Sequence, residues 1–179
     1  MIEPRTRLPF LIALFVFSFY AQKNVDVDDV ALNVVVIGDF GVMLSQSAVK
    51  QNVIRTIQLQ NQDRPFQLGI NLGGNQYPHG SQRGDVSKLI WMFGASFPSS
   101  MFQFDFLTVL GEVDHQGDIR TQIQYSVVEE RFYMPHPNYH YGLCKYDQDV
   151  KLVDNTRIRF VCIDSMPLYY PKPGNRFDA

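Results

Sequence analysis

The amino-acid sequence predicts an α/β fold, and two observations support this prediction. Short apolar runs with the composition of strands end in loops rich in glycine and polar residues, and stretches with helical periodicity follow these loops. Strand, loop and helix alternate in this way three times, which is typical of a parallel sheet with helices packed against it. The three loops should therefore meet at one edge of the sheet, where open α/β sheets bind their ligands.

The length and composition are those of a single globular domain. The chain has 179 residues, 45% of them apolar, which argues for a sizeable core and against disorder. A net charge of −2 and a pI near 6.0 give no basic surface that would bind nucleic acid. The two cysteines, Cys144 and Cys162, could form a disulfide in a secreted protein or could be two separate buried thiols.

The first 21 residues differ in character from the rest of the chain. Arg5 and Arg7 precede an apolar run over residues 8–21, which at 14 residues is shorter than the roughly 20 that a membrane-spanning helix needs. This pattern favours a signal peptide over residues 1–21, with a short uncleaved anchor as the alternative. Residues 22–30 are a polar leader, and residues 31–179 are the predicted domain. We therefore expect the protein in the secretory pathway, either secreted or in an endomembrane lumen or membrane.

The first predicted strand is the run Val34-Val35-Val36-Ile37, whose four β-branched residues are typical of a central strand buried on both faces. Gly38-Asp39-Phe40-Gly41 follows it, and the two glycines allow a sharp turn. Asp39 thus lies just past a strand end, where its carboxylate could bind a hard cation or could cap the turn or the next helix. On this stretch alone, capping is the favoured interpretation.

The next predicted element is an amphipathic helix over residues 43–61, with Ser45 as its N-cap. Its apolar stripe consists of residues at helical spacing, namely Val49, Val53, Ile54 and Ile57. The remaining predicted elements are a strand over 67–72, a loop over 73–80, a helix from Asp85 to Phe93, a strand over 104–110, a loop over 111–117, a helix over 118–130, a rigid aromatic loop over 134–141 and a strand over 157–163. Trp91 and the phenylalanine-rich segment 97–106 are predicted to be core or interface.

Three motifs at the predicted strand ends resemble those of a known family. They are Gly38-Asp39-Phe40-Gly41, Gly73-Gly74-Asn75-Gln76-Tyr77 and Gly111-Glu112-Val113-Asp114-His115. In this order they are similar to G-D-W/F-G, G-D-N-x-Y and G-N-H-D-H of the calcineurin-like metallophosphoesterases, in the purple or tartrate-resistant acid phosphatase branch. Flanking segments that also match are 108–110, 122–126, 131–135 and 163–165. The resemblance spans about residues 31–165 and implies the N-terminal half of a metallophosphoesterase-like β-sandwich flanked by helices, since the later histidine motifs of the family have no counterpart before Ala179.

The resemblance implies a site for ferric iron beside a second divalent metal such as zinc, manganese or iron. Asp39 and Tyr77 match two ligands of the ferric ion. The bridging aspartate of the family falls on Gly74, the asparagine ligand of the second metal on Glu112, and the histidine beside the phosphate on Val113. A pair of cations about 3.5–4 Å apart needs a bridging carboxylate to hold it. The resemblance therefore predicts a degenerate metal site, in which Glu112 could serve as a substitute ligand.

This pattern of loss resembles that of the glideosome-associated membrane anchors of apicomplexan parasites, a degenerate branch of the family that has a stretch similar to residues 134–141. The likeness implies an inactive scaffold of the secretory or endomembrane system with a protein partner, and with membrane association through the N-terminal apolar segment or a C-terminal region. The alternative is an acid phosphatase that hydrolyses phosphomonoesters at a rebuilt metal site of Asp39, Tyr77 and Glu112, with His115 as an acid. A third possibility is a truncated product without a stable function.

The other titratable side chains near these loops are predicted to have structural roles. For His115, a hydrogen-bonded structural histidine is favoured over a ligand or a general acid. Asp114 is expected to order its own loop by accepting hydrogen bonds from backbone N–H groups. The remaining expectations are a solvated His79, ring packing for His136 and His140, and closure of a strand end by Asp164.

Overall fold

The computed structural model describes residues 27, 29–141, 150–151, 153–154 and 156–169. The predicted signal peptide, most of the polar leader and Cys144 lie outside these residues, so those predictions stay as they are. Within them the fold contains a four-stranded parallel sheet, two antiparallel pairs of strands and four α-helices, which confirms the predicted α/β class. None of the helices in the described part is both long and apolar enough to cross a membrane.

The parallel sheet forms the centre of the fold, and its strands lie side by side in chain order. They are β1 (Val34–Ile37), β2 (Leu68–Asn71), β3 (Phe106–Thr108) and β4 (Phe132–Tyr133). The helices between them are α1 (Ala48–Asp63), α2 (Ser87–Leu89), which continues as a π-helix over Ile90–Gly94, and α3 (Ile119–Val128). Each connection crosses from one parallel strand to the next, so all four carboxyl ends lie at the same edge.

Strand β1 is an edge strand in the described sheet, not the buried central strand that its composition predicted. It pairs with β2 alone among the described strands. Val35 is buried, whereas the side chain of Val36 is 56% exposed. A run of β-branched residues gives the strand its extended conformation. It cannot specify how many neighbours the strand has, which explains why the prediction was wrong.

Helix α1 begins later than predicted. A short 3₁₀ helix over Leu44–Gln46 precedes it, and Ser47 is the N-cap in place of Ser45. The Ser47 hydroxyl oxygen accepts a hydrogen bond from the backbone N–H of Lys50 at 3.1 Å, which satisfies one of the free donors at the helix start.

The buried face of α1 is rotated from the predicted stripe. Its buried residues are Lys50, Ile54 and Ile57, which share one face at spacings of four and three residues. Val49 is 75% exposed and Val53 is 47% exposed, so only part of the predicted stripe reaches the core. A lysine stands where an apolar residue would be expected, and this moved the apparent stripe toward the two valines.

The core beside the sheet is a cluster of aromatic rings. Phe93 packs edge to face against Phe106 and Phe132, with ring centroids 5.3 Å and 5.2 Å apart. Phe97 and Phe102 are also fully buried, which confirms that the segment 97–106 contributes to the core. Trp91 does not, since it is 63% exposed.

Two antiparallel strand pairs and a short helix complete the described structure. They are β5 (Tyr139–Tyr141) with β8 (Phe160–Cys162), β6 (Val150–Lys151) with β7 (Arg157–Ile158), and α4 (Met166–Tyr169). The segment 134–141, which the sequence predicted to be a rigid aromatic loop with exposed or half-buried rings, thus contains a strand, and the rings of Tyr139 and Tyr141 are buried. The strand predicted over 157–163 is divided between two antiparallel pairs, and β4 is the fourth strand of the parallel sheet.

Candidate functional site

The loops after β1 and β2 are joined by backbone hydrogen bonds at the carboxyl edge of the sheet. The N–H of Asp39 donates to Gly73 O at 2.9 Å, and the N–H of Gly41 donates to Gly74 O at 2.8 Å. In return, the N–H of Tyr77 donates to Gly41 O at 2.7 Å. The sequence prediction that these strand ends meet at one edge is confirmed.

Asp39 and Tyr77, the two residues that match ligands of one metal, contact each other directly. The Tyr77 hydroxyl donates to Asp39 Oδ1 at 2.7 Å, and Asp39 has a left-handed φ of 54°. This hydrogen bond, with partial burial and the negative charge of Asp39, raises the pKa of Tyr77 above its usual value. The phenol therefore keeps its proton at neutral pH and serves as a donor to the carboxylate.

Gly74 leaves no room for the bridging carboxylate of a two-cation centre. A Cβ built on Gly74 would overlap Asp39 Oδ1 and lie 2.9 Å from the Cα of Asp39, and its φ of +69° also disfavours a side chain. No group of three or more His, Cys, Asp or Glu side chains converges in the part of the chain that the structure describes. The residues present therefore do not fit the pair of metals that the resemblance implies.

Asp114 binds the second and third loops together from inside. Its fully buried carboxylate accepts hydrogen bonds from the backbone N–H groups of Gly74, Asn75 and Gly111, each at 2.9 Å. The N–H of Gln76 at 3.3 Å and Nε2 of Gln122 at 2.9 Å complete the set. The expectation that Asp114 orders its own loop is confirmed, and the carboxylate orders the loop after β2 as well.

A chain of buried amide side chains extends this network under the loops. Asn71 Nδ2 donates to Asn75 Oδ1 at 2.6 Å, and Asn75 Nδ2 donates to Gln122 Oε1 at 2.9 Å. Sequence reasoning missed Asn71 and Gln122. One signal was present for Gln122, because it lies three residues before the buried Tyr125 and therefore on the same face of α3.

Lys50 holds the first loop from the opposite side, and sequence reasoning missed it also. Its buried Nζ donates to Phe40 O at 2.8 Å and to Val42 O and Met92 O at 2.7 Å each. Burial lowers the pKa of Lys50 to about 8, because the ammonium group has lost contact with water. The signal for this lysine was its position in phase with Ile54 and Ile57 on α1.

His115 makes the hydrogen bond expected of a structural histidine. Its Nε2 lies 3.0 Å from each carboxylate oxygen of Asp164, whose side chain is buried. Asp164 also accepts from the N–H of Met166 at 3.1 Å, and its own N–H donates to Asn138 Oδ1 at 2.8 Å. The pair ties the third loop to the end of β8, and the ring of His115 remains partly exposed.

The other predicted site residues do not join this cluster of contacts. Glu112 is exposed and Val113 is half-buried. His79 is exposed as expected, with Nδ1 3.3 Å from Gln116 Oε1. The ring packing expected of His136 and His140 is wrong, because both side chains are exposed and His140 alternates along β5 with the buried tyrosines.

These observations define the class of protein: a mixed α/β domain whose three polar loops interlock at the carboxyl edge of a parallel sheet. No protein-family model and no curated protein matches the chain. The chemistry of the loop cluster and the exposed surface are therefore the features of this chain that bear on its function.

Proposed function

We propose that the protein is a catalytically inactive scaffold on a metallophosphoesterase-like fold, and that it binds a protein partner in the secretory pathway. The observation that carries this proposal is the contact between Asp39, Gly74 and Tyr77. The Asp39 carboxylate lies where a side chain on Gly74 would have to stand, and it is bonded to the Tyr77 hydroxyl. The likeness of the three loop motifs to the family supports the fold assignment.

The two carboxylates of the loop cluster find their hydrogen-bond donors within the cluster, whereas the buried Nε2 of Gln76 has no partner among the described residues. Asp114 has five donors around its two oxygens, and Asp39 has a neutral phenol as its donor. Metal-assisted hydrolysis needs carboxylates that hold cations and a water whose pKa the cation lowers. Stable oxygen sites for cations use more ligands than Asp39 and Tyr77 supply. The cluster is therefore better suited to stabilising the fold of a partner-binding protein than to hydrolysing a substrate.

The exposed tryptophan supports a partner-binding role. Trp91 lines an apolar cavity of about 380 Å³ together with Met43, Leu44 and Ala95, and the other lining residues are the uncharged Ser45 and Gln51. Exposed tryptophans in such cavities are frequent centres of binding energy in protein interfaces. We assign this cavity, with its uncharged lining, to an apolar side chain of the partner protein.

An activity assay tests the inactive part of the proposal. We expect the full chain, assayed with p-nitrophenyl phosphate at acid pH with iron and zinc added, to turn over substrate no faster than its Asp39→Ala variant. Turnover that is lost in Asp39→Ala but kept in Val127→Glu, a change at a valine that is 76% exposed on α3, would refute it.

Purification from the secretory pathway tests the scaffold part. We expect one protein to accompany the tagged full chain in stoichiometric amount, to be lost with Trp91→Glu and to be kept with Val127→Glu. The absence of such a companion, or its equal retention by both variants, would count against a partner at the Trp91 cavity.

One observation favours the acid-phosphatase alternative. The buried carboxylate of Asp164 orients the partly exposed imidazole of His115 at the same edge as Asp39, an arrangement suited to proton transfer. Under this alternative, His115→Ala and Asp164→Asn would both lower phosphomonoester turnover by at least tenfold. If the wild-type chain shows no turnover, the pair has only its structural role.

A further inference from the structure

We propose that Lys50 is the positioning residue of the Trp91 cavity, because it fixes the walls of this cavity relative to one another from inside the protein. This role rests on the proposed function, which assigns the cavity to an apolar side chain of the partner protein. Lys50 is buried and is not among the lining residues, so it acts through the walls and does not touch the partner. It holds the cavity in shape before the partner binds.

The walls of the cavity belong to three segments of the chain. These segments are the residues between β1 and α1, helix α1 itself, and the π-helix with the residue after it. The lining residues in this order are Met43, Leu44 and Ser45, then Gln51, then Trp91 and Ala95. The shape of the cavity therefore depends on the contacts that hold the three segments together.

The ammonium group of Lys50 joins all three segments. Its Nζ donates to Val42 O at 2.7 Å, and Val42 directly precedes the first wall. It also donates to Met92 O at 2.7 Å, and Met92 directly follows Trp91. Lys50 is itself the residue before the lining residue of α1. Each of its connections thus lies one residue from a wall of the cavity.

The packing of Phe40 strengthens this connection. Lys50 Nζ donates to Phe40 O at 2.8 Å and lies 5.3 Å from the centroid of the Phe40 ring, which attracts the charge. The same ring packs against those of Phe93 and Phe97, with centroids 6.0 Å apart in each case. The loop after β1 and the π-helix are thus held together by polar and aromatic contacts that adjoin each other.

The chemistry of lysine explains why this residue type stands at a buried position. Position 50 shares the buried face of α1 with Ile54 and Ile57, where an apolar side chain is expected and a charge is costly. An ammonium group has three N–H donors and no acceptor, so it can bond to three carbonyl oxygens at once. An apolar side chain would fill the space and leave the three carbonyl groups without their common donor.

The π-helix is a second reason to connect Lys50 with the cavity. Helices of this type are rare, are mostly single turns and are frequent at functional sites. Met92 O lies in this wide turn and accepts hydrogen bonds from Lys50 and, at 2.6 Å, from the Ser96 hydroxyl. Lys50 thus helps to fix the turn that carries the exposed Trp91.

Fluorescence of the full chain tests the proposal, since Trp91 is the only tryptophan in the sequence. The probe is N-acetyl-leucinamide, which presents one apolar side chain, and N-acetyl-glycinamide is the control compound. For the wild type we expect a saturable blue shift with the leucine compound, in the millimolar range because the probe is small, and no shift with the glycine compound.

Lys50→Met should weaken binding of the leucine compound by about threefold or more, because the walls are no longer preorganised. Acrylamide should also quench Trp91 more strongly in this variant. Ile57→Ala is the matched control, since Ile57 lies on the same face of α1 and does not line the cavity. It should be less stable but should bind the probe like the wild type.

All proteins are compared at a temperature at which circular dichroism shows them folded. Lys50→Gln, with two N–H donors in place of three, serves if Lys50→Met does not fold. Equal probe binding and equal quenching in the wild type and the Lys50 variant would overturn the proposal. An equal loss in Ile57→Ala would overturn it too, because Lys50 would then act only through stability.

The same measurements separate this proposal from the proposed function. If the wild type does not bind the leucine compound, and quenching by acrylamide still rises in Lys50→Met but not in Ile57→Ala, Lys50 positions the walls of a cavity that has a different occupant. That result would support the role of Lys50 and would count against the assignment of the cavity to an apolar side chain.

Discussion

Two buried charges of opposite sign hold the loop cluster together. The carboxylate of Asp114 accepts hydrogen bonds from backbone N–H groups of two loops, and the ammonium group of Lys50 donates hydrogen bonds to three backbone carbonyl groups. Neither residue has an ion-pair partner among the described contacts that surround it, so the backbone itself compensates each charge. Loss of either side chain leaves several buried backbone groups without a partner.

Asp114→Asn should lower the free energy of unfolding by about 2–4 kcal/mol, because an amide NH₂ would face the N–H donors that now meet one carboxylate oxygen. Urea denaturation measures the change. Asp63→Asn, at the exposed end of α1, is the control and should change stability by less than about 0.5 kcal/mol. Equal effects of the two substitutions would contradict the role of Asp114.

Lys50 should make stability rise with pH above about 8. Burial lowers its pKa from 10.5 to about 8 in the folded protein. Between these values the unfolded state binds more protons than the folded state, so raising the pH favours folding. The slope is at most about 1.4 kcal/mol per pH unit.

Comparison with Lys50→Met isolates this slope from the titration of the tyrosines and of Cys162. We expect the free energy of unfolding of the wild type, minus that of Lys50→Met, to increase between pH 8 and pH 10. Parallel stability curves for the two proteins would show that Lys50 does not contribute in this way.

Helix α1 shows how far sequence periodicity reaches at the scale of one element. The helix is present and its length is close to the prediction, because a helical repeat of apolar residues over sixteen residues fits few other secondary structures. Its rotation was wrong because Lys50 lies on the buried face, and only the carbonyl groups of distant residues make that burial favourable. Contacts of that kind are not visible in a local pattern.

The start of α1 gives a direct test of the observed boundary. Ser47→Ala should lower the free energy of unfolding by about 1 kcal/mol, since it removes the acceptor for the N–H of Lys50. Ser45→Ala should have less than half that effect, because Ser45 lies in the 3₁₀ helix before the cap. Thermal or urea denaturation of both variants compares the two positions, and a larger loss for Ser45→Ala would favour the boundary predicted from sequence.

At the scale of the molecule, the sequence could predict that the three loops lie at the carboxyl edge of the sheet, but it could not predict how the other strands pair. Strands that alternate with helices along the chain are parallel, so the loops after β1, β2 and β3 leave the sheet at the same edge. The edge position of β1, the short strand β4 and the buried β5 depend on pairings between distant segments. The hydrogen bonds that hold the loop cluster together depend in part on Gln122 and Lys50, which lie outside the three motifs.

Because the first two loops approach each other closely, we expect Gly41 and Gly38, two glycines of the same motif, to differ in how much an alanine substitution destabilises the fold. A Cβ on Gly41 would lie 2.5 Å from Asn75 C and Gln76 N, so Gly41→Ala should destabilise the fold by more than about 2 kcal/mol. A Cβ on Gly38 meets Leu72 Cβ at an ordinary 3.5 Å, and Gly38→Ala should change stability by less than about 1 kcal/mol. Denaturation curves of the pair decide the point, and similar losses would mean that the loops separate easily.

The position of Trp91 outside the aromatic core has a consequence for spectroscopy. It is the only tryptophan in the sequence, and its indole ring is already in contact with water in the folded protein. Its fluorescence emission should therefore be red-shifted before any denaturant is added and should change little as the phenylalanine cluster melts. During unfolding, tryptophan fluorescence would then stay nearly constant while the far-ultraviolet circular dichroism signal is lost. The emission of this one indole would instead report a molecule that enters the cavity beside it.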